Sequence, residues 1–430
     1  MNFDYSLPEG WSWKTIEQIQ ESPKGATITG PFGSSIGKKF FVEQGIPVIR
    51  GNNLSLKMIP FIDDGFVFVS EEKAEELKRY KSKADDLLFT AAGTIGQVGI
   101  IPQTSNFDEY IISNKQLRAR LDRDLVDPLY AYYWFSSKPM VEYIKRQDTG
   151  STIPLINLGV LRALPIPVAP LDAQVKIRKI LESFDKKIEV NQKTNKTLEQ
   201  MAQAIFKSWF VDFDPVKAKM NGEQPEGMDA ATASLFPEKL VESELGLIPE
   251  GWGAVQVGDI VQRLKPKKRY TKKQVEPYGK TPVYEQGASI LLGFHNDDAG
   301  FDASPEDPVF IFGDHTCITH LSCSKFDISS NVIPLKGSVR PTIWTYYAIQ
   351  GKQEFQEYRR HWSEFIIKDV VLPPVELAEK YAELVTTKYL MMESLKRQSK
   401  ELEQLRDTLL PKLLSGEINL DTTEELVEVN

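Results

Sequence analysis

Residues 171–213 read LDAQVKIRKILESFDKKIEVNQKTNKTLEQMAQAIFKSWFVDF, with neither proline nor glycine. Within them Ile177, Leu181, Phe184, Ile188, Asn191, Asn195, Leu198, Ala202, Ile205 and Trp209 follow one another at alternating steps of four and three. That spacing keeps one face of a helix turned toward a partner helix. A second such stretch runs from Val375 to Leu410, with Tyr381, Leu384, Lys388, Met391, Leu395, Gln398, Leu402, Leu405 and Leu409 as its seam. Leu198-Glu199-Gln200 in the first recurs as Leu402-Glu403-Gln404 in the second. An apolar seam left in water is unfavourable, so each helix must bury its own against something, and the other helix is the nearest candidate. The alternative is two independent helices, each on its own domain. It fits less well, because such helices average only ~11–12 residues. Asn191, Asn195 and Gln398 suit the pairing, since polar seam residues fix register at some cost in stability.

The rest of the chain is organised around these two helices. Leu7-Pro8-Glu9-Gly10-Trp11 returns as Ile248-Pro249-Glu250-Gly251-Trp252. Further echoes keep the same order: Ile46-Pro47-Val48 with Thr281-Pro282-Val283, Leu87-Leu88-Phe89 with Pro308-Val309-Phe310, Ser113-Asn114 with Ser330-Asn331, and Tyr132-Tyr133 with Tyr346-Tyr347. The spacing between partners shrinks steadily along the chain, as in two related domains whose loops differ in length. Short β-branched and aromatic runs broken by Gly, Asp and Asn predict mixed α+β domains. Helices are expected from Ser70 through Tyr80, over Pro128 to Tyr143 and over Pro341 to Tyr358. Proline-rich joints, Leu164-Pro165-Ile166-Pro167 and Leu372-Pro373-Pro374, separate each domain from its helix. The resulting division is a first domain over 1–165, a first spacer helix over 166–213, a linker over 214–247, a second domain over 248–371, a second spacer helix over 372–416 and an acidic tail over 417–430. Antiparallel pairing of the helices predicts approximate two-fold symmetry, with the domains held apart. From Ile177 to Trp209 a helix spans about 50 Å, and half-sites one DNA turn apart lie ~34 Å from each other.

The 430 residues are 41% hydrophobic, which is globular composition with room for two or three cores. No apolar run approaches the ~18 residues of a membrane span, and residues 1–10 do not read as a signal peptide. Cys317 and Cys323 are too few for a disulfide framework. Both readings point to the cytoplasm. A net charge of −8 gives no bulk attraction for nucleic acid, so any such role must rest on local patches. One candidate patch is Arg263 to Lys273, rich in Lys and Arg with Tyr270 interleaved; a solvated lysine-rich loop is the alternative.

Motifs for catalysis are missing. Gly30-Pro31-Phe32-Gly33 and Gly93-Thr94-Ile95-Gly96 lack the Gly-Lys-Ser/Thr ending of a phosphate loop and the dinucleotide-binding spacing. There is no Asn-Pro-Pro-Tyr-like stretch of the kind used by DNA aminomethylases. His315, Cys317, His320 and Cys323 are too compressed for a tetrahedral zinc site and read instead as a strand end with a polar turn. Asp64, Glu71 and Lys73 mimic a nuclease trio only loosely, and Glu71 suits a helix start.

Taken together, the chain resembles the specificity subunit of type I restriction-modification systems. The resemblance rests on the duplicated Pro-Glu-Gly-Trp openings, Asp86-Leu87-Leu88-Phe89, the run Ile153 to Gln174, Ser208-Trp209-Phe210-Val211-Asp212-Phe213-Asp214-Pro215, and Leu410-Pro411-Lys412-Leu413-Leu414-Ser415-Gly416-Glu417-Ile418. Departures are Pro373-Pro374-Val375-Glu376-Leu377 without a following Gln, and Ala169 in place of a Pro; both concern helix starts.

What the resemblance implies is a non-catalytic chain with two target-recognition domains, each reading half of a split DNA sequence, joined by an antiparallel coiled-coil spacer. It also implies that two methyltransferase subunits bind the spacer and use S-adenosylmethionine, and that restriction subunits add cleavage with ATP and Mg; this chain holds no cofactor or metal. Ile180, Val190, Met201, Phe206, Phe210, Leu390 and Leu410 flank the seams and are expected to meet partner helices. Basic residues hold phosphates, while short amides and Arg read base edges. On that basis the expected DNA contacts are Lys38, Lys39, Arg50, Asn52, Asn53, Thr94 and Gln97 in the first half. In the second half they are Lys267, Lys268, Arg269, Tyr270, Gln286, His315, Thr316, Arg359 and Arg360. The rival reading is a coiled-coil scaffold that joins two protein-binding domains and binds no DNA.

Overall fold

The computed structural model describes residues 7–21, 25–150 and 152–418. The expected acidic tail therefore lies outside the described residues from 419 onward. Two compact units result: one comprises the chain through Glu189 together with the residues from Lys400, and the other Val190–Ser399. Each long helix, Leu171–Phe210 and Val375–Leu414, gives one part of its length to each unit.

In the first unit, Thr27–Thr29, Gln116–Ala119, Leu87–Thr90 and Val98–Ile100 form a four-stranded antiparallel sheet in that order. A five-stranded sheet runs Phe41–Val42, Val67–Val69, Ile46–Ile49, Tyr110–Ile112, Lys81–Ser82, with Ile46–Ile49 and Tyr110–Ile112 parallel. The second unit repeats the plan. Val261–Arg263, Val332–Gly337, Val309–Gly313 and Thr319–Ser322 make the four-stranded sheet. In its other sheet Asp327–Ser329 runs parallel to both neighbours, Arg269–Tyr270 and Thr281–Tyr284.

The sequence echoes have local causes. In both Pro-Glu-Gly-Trp copies the Trp N–H donates to the Pro carbonyl at 3.1 Å while the Gly sits at φ 82° or 80°. This is a type II turn, which needs glycine at its third position. The first Pro-rich joint is a strand, Pro165–Val168, which pairs with Ser12–Thr15; the prolines of the second follow a strand, Asp369–Leu372, which pairs with Gly253–Gln256. Gln174 explains its place in the first joint. Its amide donates to Leu125 and Ala169 carbonyls and accepts from the Asp127 N–H. In the second unit, where that Gln is missing, the Arg340 guanidinium donates to the Pro373 carbonyl.

Helix Pro128–Ser136 starts on Asp127, whose carboxylate accepts from the N–H groups of Leu129 and Tyr130. It is apolar on every side and buried on every side. Its polar tips find partners: Tyr130 donates to Pro167, Trp134 to Pro165 and Tyr133 to Asp185 on the long helix. Asp185 also receives Arg406 from the other long helix at 2.6 Å. In the second unit Tyr347 meets Tyr389 at 2.7 Å, Tyr381 donates to the Ala202 carbonyl, and Asn191 donates to Gln398 and Ser399. Asn191 with Gln398 and Ala202 with Tyr381 fix antiparallel pairing inside that unit. Asp185 with Arg406, among Ile177, Leu181, Leu410 and Leu413, pairs the helices in the first. Burying each such leucine or isoleucine stabilises by roughly 1.5–3 kcal/mol.

Several expectations need correction. The second helix buries a face displaced from the expected seam: Leu384, Met391 and Leu405 are exposed, whereas Val385, Tyr389, Met392 and Arg406 are buried. Two of these four inward residues, Tyr389 and Arg406, carry polar tips that find partners inside the fold. The region expected to be a linker, 214–247, holds helices Asp214–Met220 and Ala230–Ser234 and part of the hairpin Leu240–Ser243/Gly246–Pro249, because Phe213, Val216 and Phe236 are buried in the second core. The helix expected over 128–143 breaks at Ser137 and resumes at Lys138 with Pro139 in its first turn. The one expected to reach Tyr358 stops at Ile349, before Gly351 at φ 68°.

Candidate nucleic-acid interface

In the first unit the short turn Gly51–Asn53 and the loop after strand Leu87–Thr90 face each other across a cleft of about 380 Å³. Gly51, Asn52, Thr90, Ala92, Gly93, Thr94, Gln97, Lys115 and Gln116 line it. Three expected contacts, Asn52, Thr94 and Gln97, thus come together. Gln97 is held in place: its Nε2 donates to the Leu54 carbonyl and its Oε1 accepts from the Thr90 hydroxyl, both at 2.9 Å. Asn52 Nδ2 donates to the Gly65 carbonyl at 3.3 Å, leaving the residue exposed at the cleft wall.

Asn53 is a correction. It is fully buried, its Nδ2 donates to the Ile62 and Asp64 carbonyls, and its Oδ1 accepts from the Arg50 N–H, so it builds the turn and reads nothing. Arg50 is half-buried and reaches the Gly65 carbonyl. Lys38 and Lys39 are exposed on the separate turn Lys38–Phe40 and do not line the cleft.

Sequence reasoning missed Lys115 and Gln116. Their only signal was the neighbouring Ser113-Asn114 echo, and Gln116 begins a strand whose other residues are buried. Below that strand, Asp86 of Asp86-Leu87-Leu88-Phe89 is buried and receives both Nε and Nη2 of Arg120 at 2.7 Å. Asp86 holds the sheet that carries the cleft.

In the second unit the loop after the matched strand Val309–Gly313 carries His315 and Thr316. The His315 N–H donates to Gln286 Oε1 at 3.0 Å, and its ring meets Tyr358 edge-on. Arg360 is largely exposed, 3.8 Å from Asp314 in the same loop. Gln286, His315, Thr316 and Arg360 therefore gather at one place. Arg359 is committed elsewhere, paired with Glu357 and Glu364.

The basic run splits by role. Lys267 and Lys268 are exposed. The Arg269 guanidinium donates to the Ser329 and Val332 carbonyls at 2.7 and 2.9 Å, and burial lowers its pKa. Tyr270 is a further correction: buried, it stacks on His295 at 4.1 Å and donates to Asp297, so it offers no ring to a base. His320 and Cys323 are packed in the same unit, and burial pushes the imidazole down to about 4 and the thiol up to about 12.

Of the apolar residues expected to meet partners, Val190, Met201 and Leu390 are exposed on the long helices. Ile180, Phe206, Phe210 and Leu410 are not, because they belong to the cores of the chain's own units. No helix among the described residues is long and apolar enough to cross a membrane.

Residues 8–200 match the family described as Type I restriction modification DNA specificity domain. The MjaIX specificity subunit of a type I restriction enzyme from Methanocaldococcus jannaschii is 25% identical over 96% of this chain and 95% of that one. The HindI specificity subunit from Haemophilus influenzae is 26% identical, covering 73% of this chain and 82% of its own length. A crystal structure of the S subunit from M. genitalium, 15% identical, aligns with a TM-score of 0.49 over 96% of this chain and 98% of that one. Residues 8–200 thus match a type I restriction modification DNA specificity domain, and the chain is similar along its length to specificity subunits of type I restriction enzymes.

Proposed function

We propose that this chain selects the DNA target of a type I restriction-modification complex, each target-recognition domain reading one half of a split sequence. The observation that carries the reading is duplication. At the end of the matched strand in each unit, polar side chains converge: Asn52, Thr94 and Gln97 with Lys115 in one, Gln286, His315 and Thr316 with Arg360 in the other. Base edges are recognised by such groups, while exposed cations such as Lys38, Lys39, Lys267 and Lys268 hold phosphates. The exposed apolar residues Val190, Met201 and Leu390 are the docking points for two methyltransferase subunits. Those subunits supply methylation of adenine with S-adenosylmethionine, and restriction subunits add ATP- and Mg-dependent cleavage. This chain contributes choice of sequence and no chemistry of its own, acting on chromosomal DNA in the cytoplasm. A DNA-independent scaffold is not favoured, because the full-length relatives are specificity subunits.

The test is co-expression with the methyltransferase encoded beside it, followed by mapping of N6-methyladenine across the genome. A split motif with a gap of fixed length is expected. Methylation that is absent, or the same without this chain, would refute the proposal.

A further inference from the structure

One side chain in the first cleft stands apart. Gln116 is fully buried, yet neither its Nε2 nor its Oε1 has a hydrogen-bond partner. Its backbone is satisfied, with the N–H donating to Ser113 and the carbonyl accepting from Gly30. The neighbouring amide of Gln97, by contrast, is committed at both ends. A buried donor and acceptor left unmet cost stability, so such a group calls for an explanation in function. Gly51, on the cleft wall, leaves the space beside the amide open. A methyl group added there would lie 3.9 Å from Gln116 Nε2 and 3.7 Å from Gln97 Oε1.

In the second unit the counterpart of Gln116 is Ile333, and unmet polar atoms lie instead on the loop after the matched strand, where His315 Nδ1 and Thr316 Oγ1 are buried without partners. There Gly313 admits no side chain, since a Cβ would stand 2.6 Å from Thr316 Oγ1.

We infer that Gln116 is a specificity-determining residue, whose amide turns into the cleft to read the major-groove edge of one adenine in the first half-site. An amide presents a donor beside an acceptor, and adenine alone offers the complement there, N7 beside the N6 amino group. Exposed Lys115, next in the chain and on the same wall, suits the adjoining phosphate. The inference rests on the function proposed above and narrows it to one base pair.

The experiment uses the full chain co-expressed with its methyltransferase, mapping N6-methyladenine for wild type, Gln116→Leu, Gln116→Glu and Gly51→Val, and recording the melting temperature of each purified complex. Gln116→Leu should melt at the wild-type temperature or above, since it removes an unmet amide. Its preference for adenine at one position of one half-site should fall about 5- to 150-fold, with the other half-site unchanged. Gln116→Glu, which only accepts, should move that position toward cytosine, whose N4 amino group donates. Gly51→Val, which fills the space beside the amide, should relax the same position. An unchanged motif in both Gln116 variants would overturn the inference and leave the proposed function standing. So would a marked fall in melting temperature with Gln116→Leu, because the amide would then be bonded inside the fold. A wild-type chain that directs no split motif would instead bring down the proposed function.

Discussion

Buried polar side chains separate into those that build and those that remain free. Asn53 builds: substituting Ala orphans the Ile62 and Asp64 carbonyls and the Arg50 N–H, and each buried group left unpaired costs ~1–3 kcal/mol. Urea unfolding should therefore show a large loss for Asn53→Ala and little for Asn52→Ala, whose side chain is exposed. Asp185 is held by Tyr133 and Arg406, and burial raises its pKa against the pull of the guanidinium. Removing one partner of a buried pair leaves the other charge uncompensated, so Arg406→Ala should cost about 3–5 kcal/mol at neutral pH. The sign of its pH dependence follows. A carboxyl whose folded pKa lies above its unfolded one favours the folded state when protonated. Without Arg406 that pKa rises further, so the deficit should shrink as the pH falls from neutral to mildly acidic, as read by denaturant titration at both pH values.

At the scale of the elements, the two long helices carry a core side and an outer side that hydrophobicity alone does not distinguish. Leu390 and Met391 face water while Tyr389 and Met392 are buried. Acidic substitutions at Val190, Met201 and Leu390 should leave unfolding free energy within ~0.5 kcal/mol each, as for exposed sites generally, yet weaken capture of the methyltransferase subunit in a pull-down. Normal capture by the triple variant would move the docking points elsewhere. Phe206→Ala, in the second core, should instead cost ~3–5 kcal/mol. Small residues act at helix ends too. Gly416, at φ 73°, closes the second helix where a Cβ would stand 2.1 Å from Pro8 Cγ, which explains a glycine there.

For the whole molecule, a net charge of −8 means that affinity for DNA must come from a few placed cations. Lys267→Ala with Lys268→Ala should weaken binding to all sequences alike and reduce the slope of log affinity against log salt by up to ~0.9 per lost phosphate contact. A slope unchanged from wild type would take both lysines out of the interface. Arg269 is left out of this pair because its guanidinium secures two backbone carbonyls, so its loss would disturb the fold as well.

The duplication, both long helices and the proline joints that precede them were legible in the sequence, because each rests on local rules: recurring motifs, helical periodicity and proline at joints. Candidate contacts were legible only as residue types on turn-rich segments. Whether Asn53 or Asn52, Gln97 or Gln116, carries a free polar group depends on which carbonyls stand within hydrogen-bond reach, and those carbonyls come from residues distant in the chain. The same holds for the helices. Leu405 on the expected seam and Arg406 beside it exchanged places because Asp185, far away in sequence, pairs with the guanidinium. Periodicity determined that these helices have a buried face; the tertiary partners of their polar tips decided which face it is.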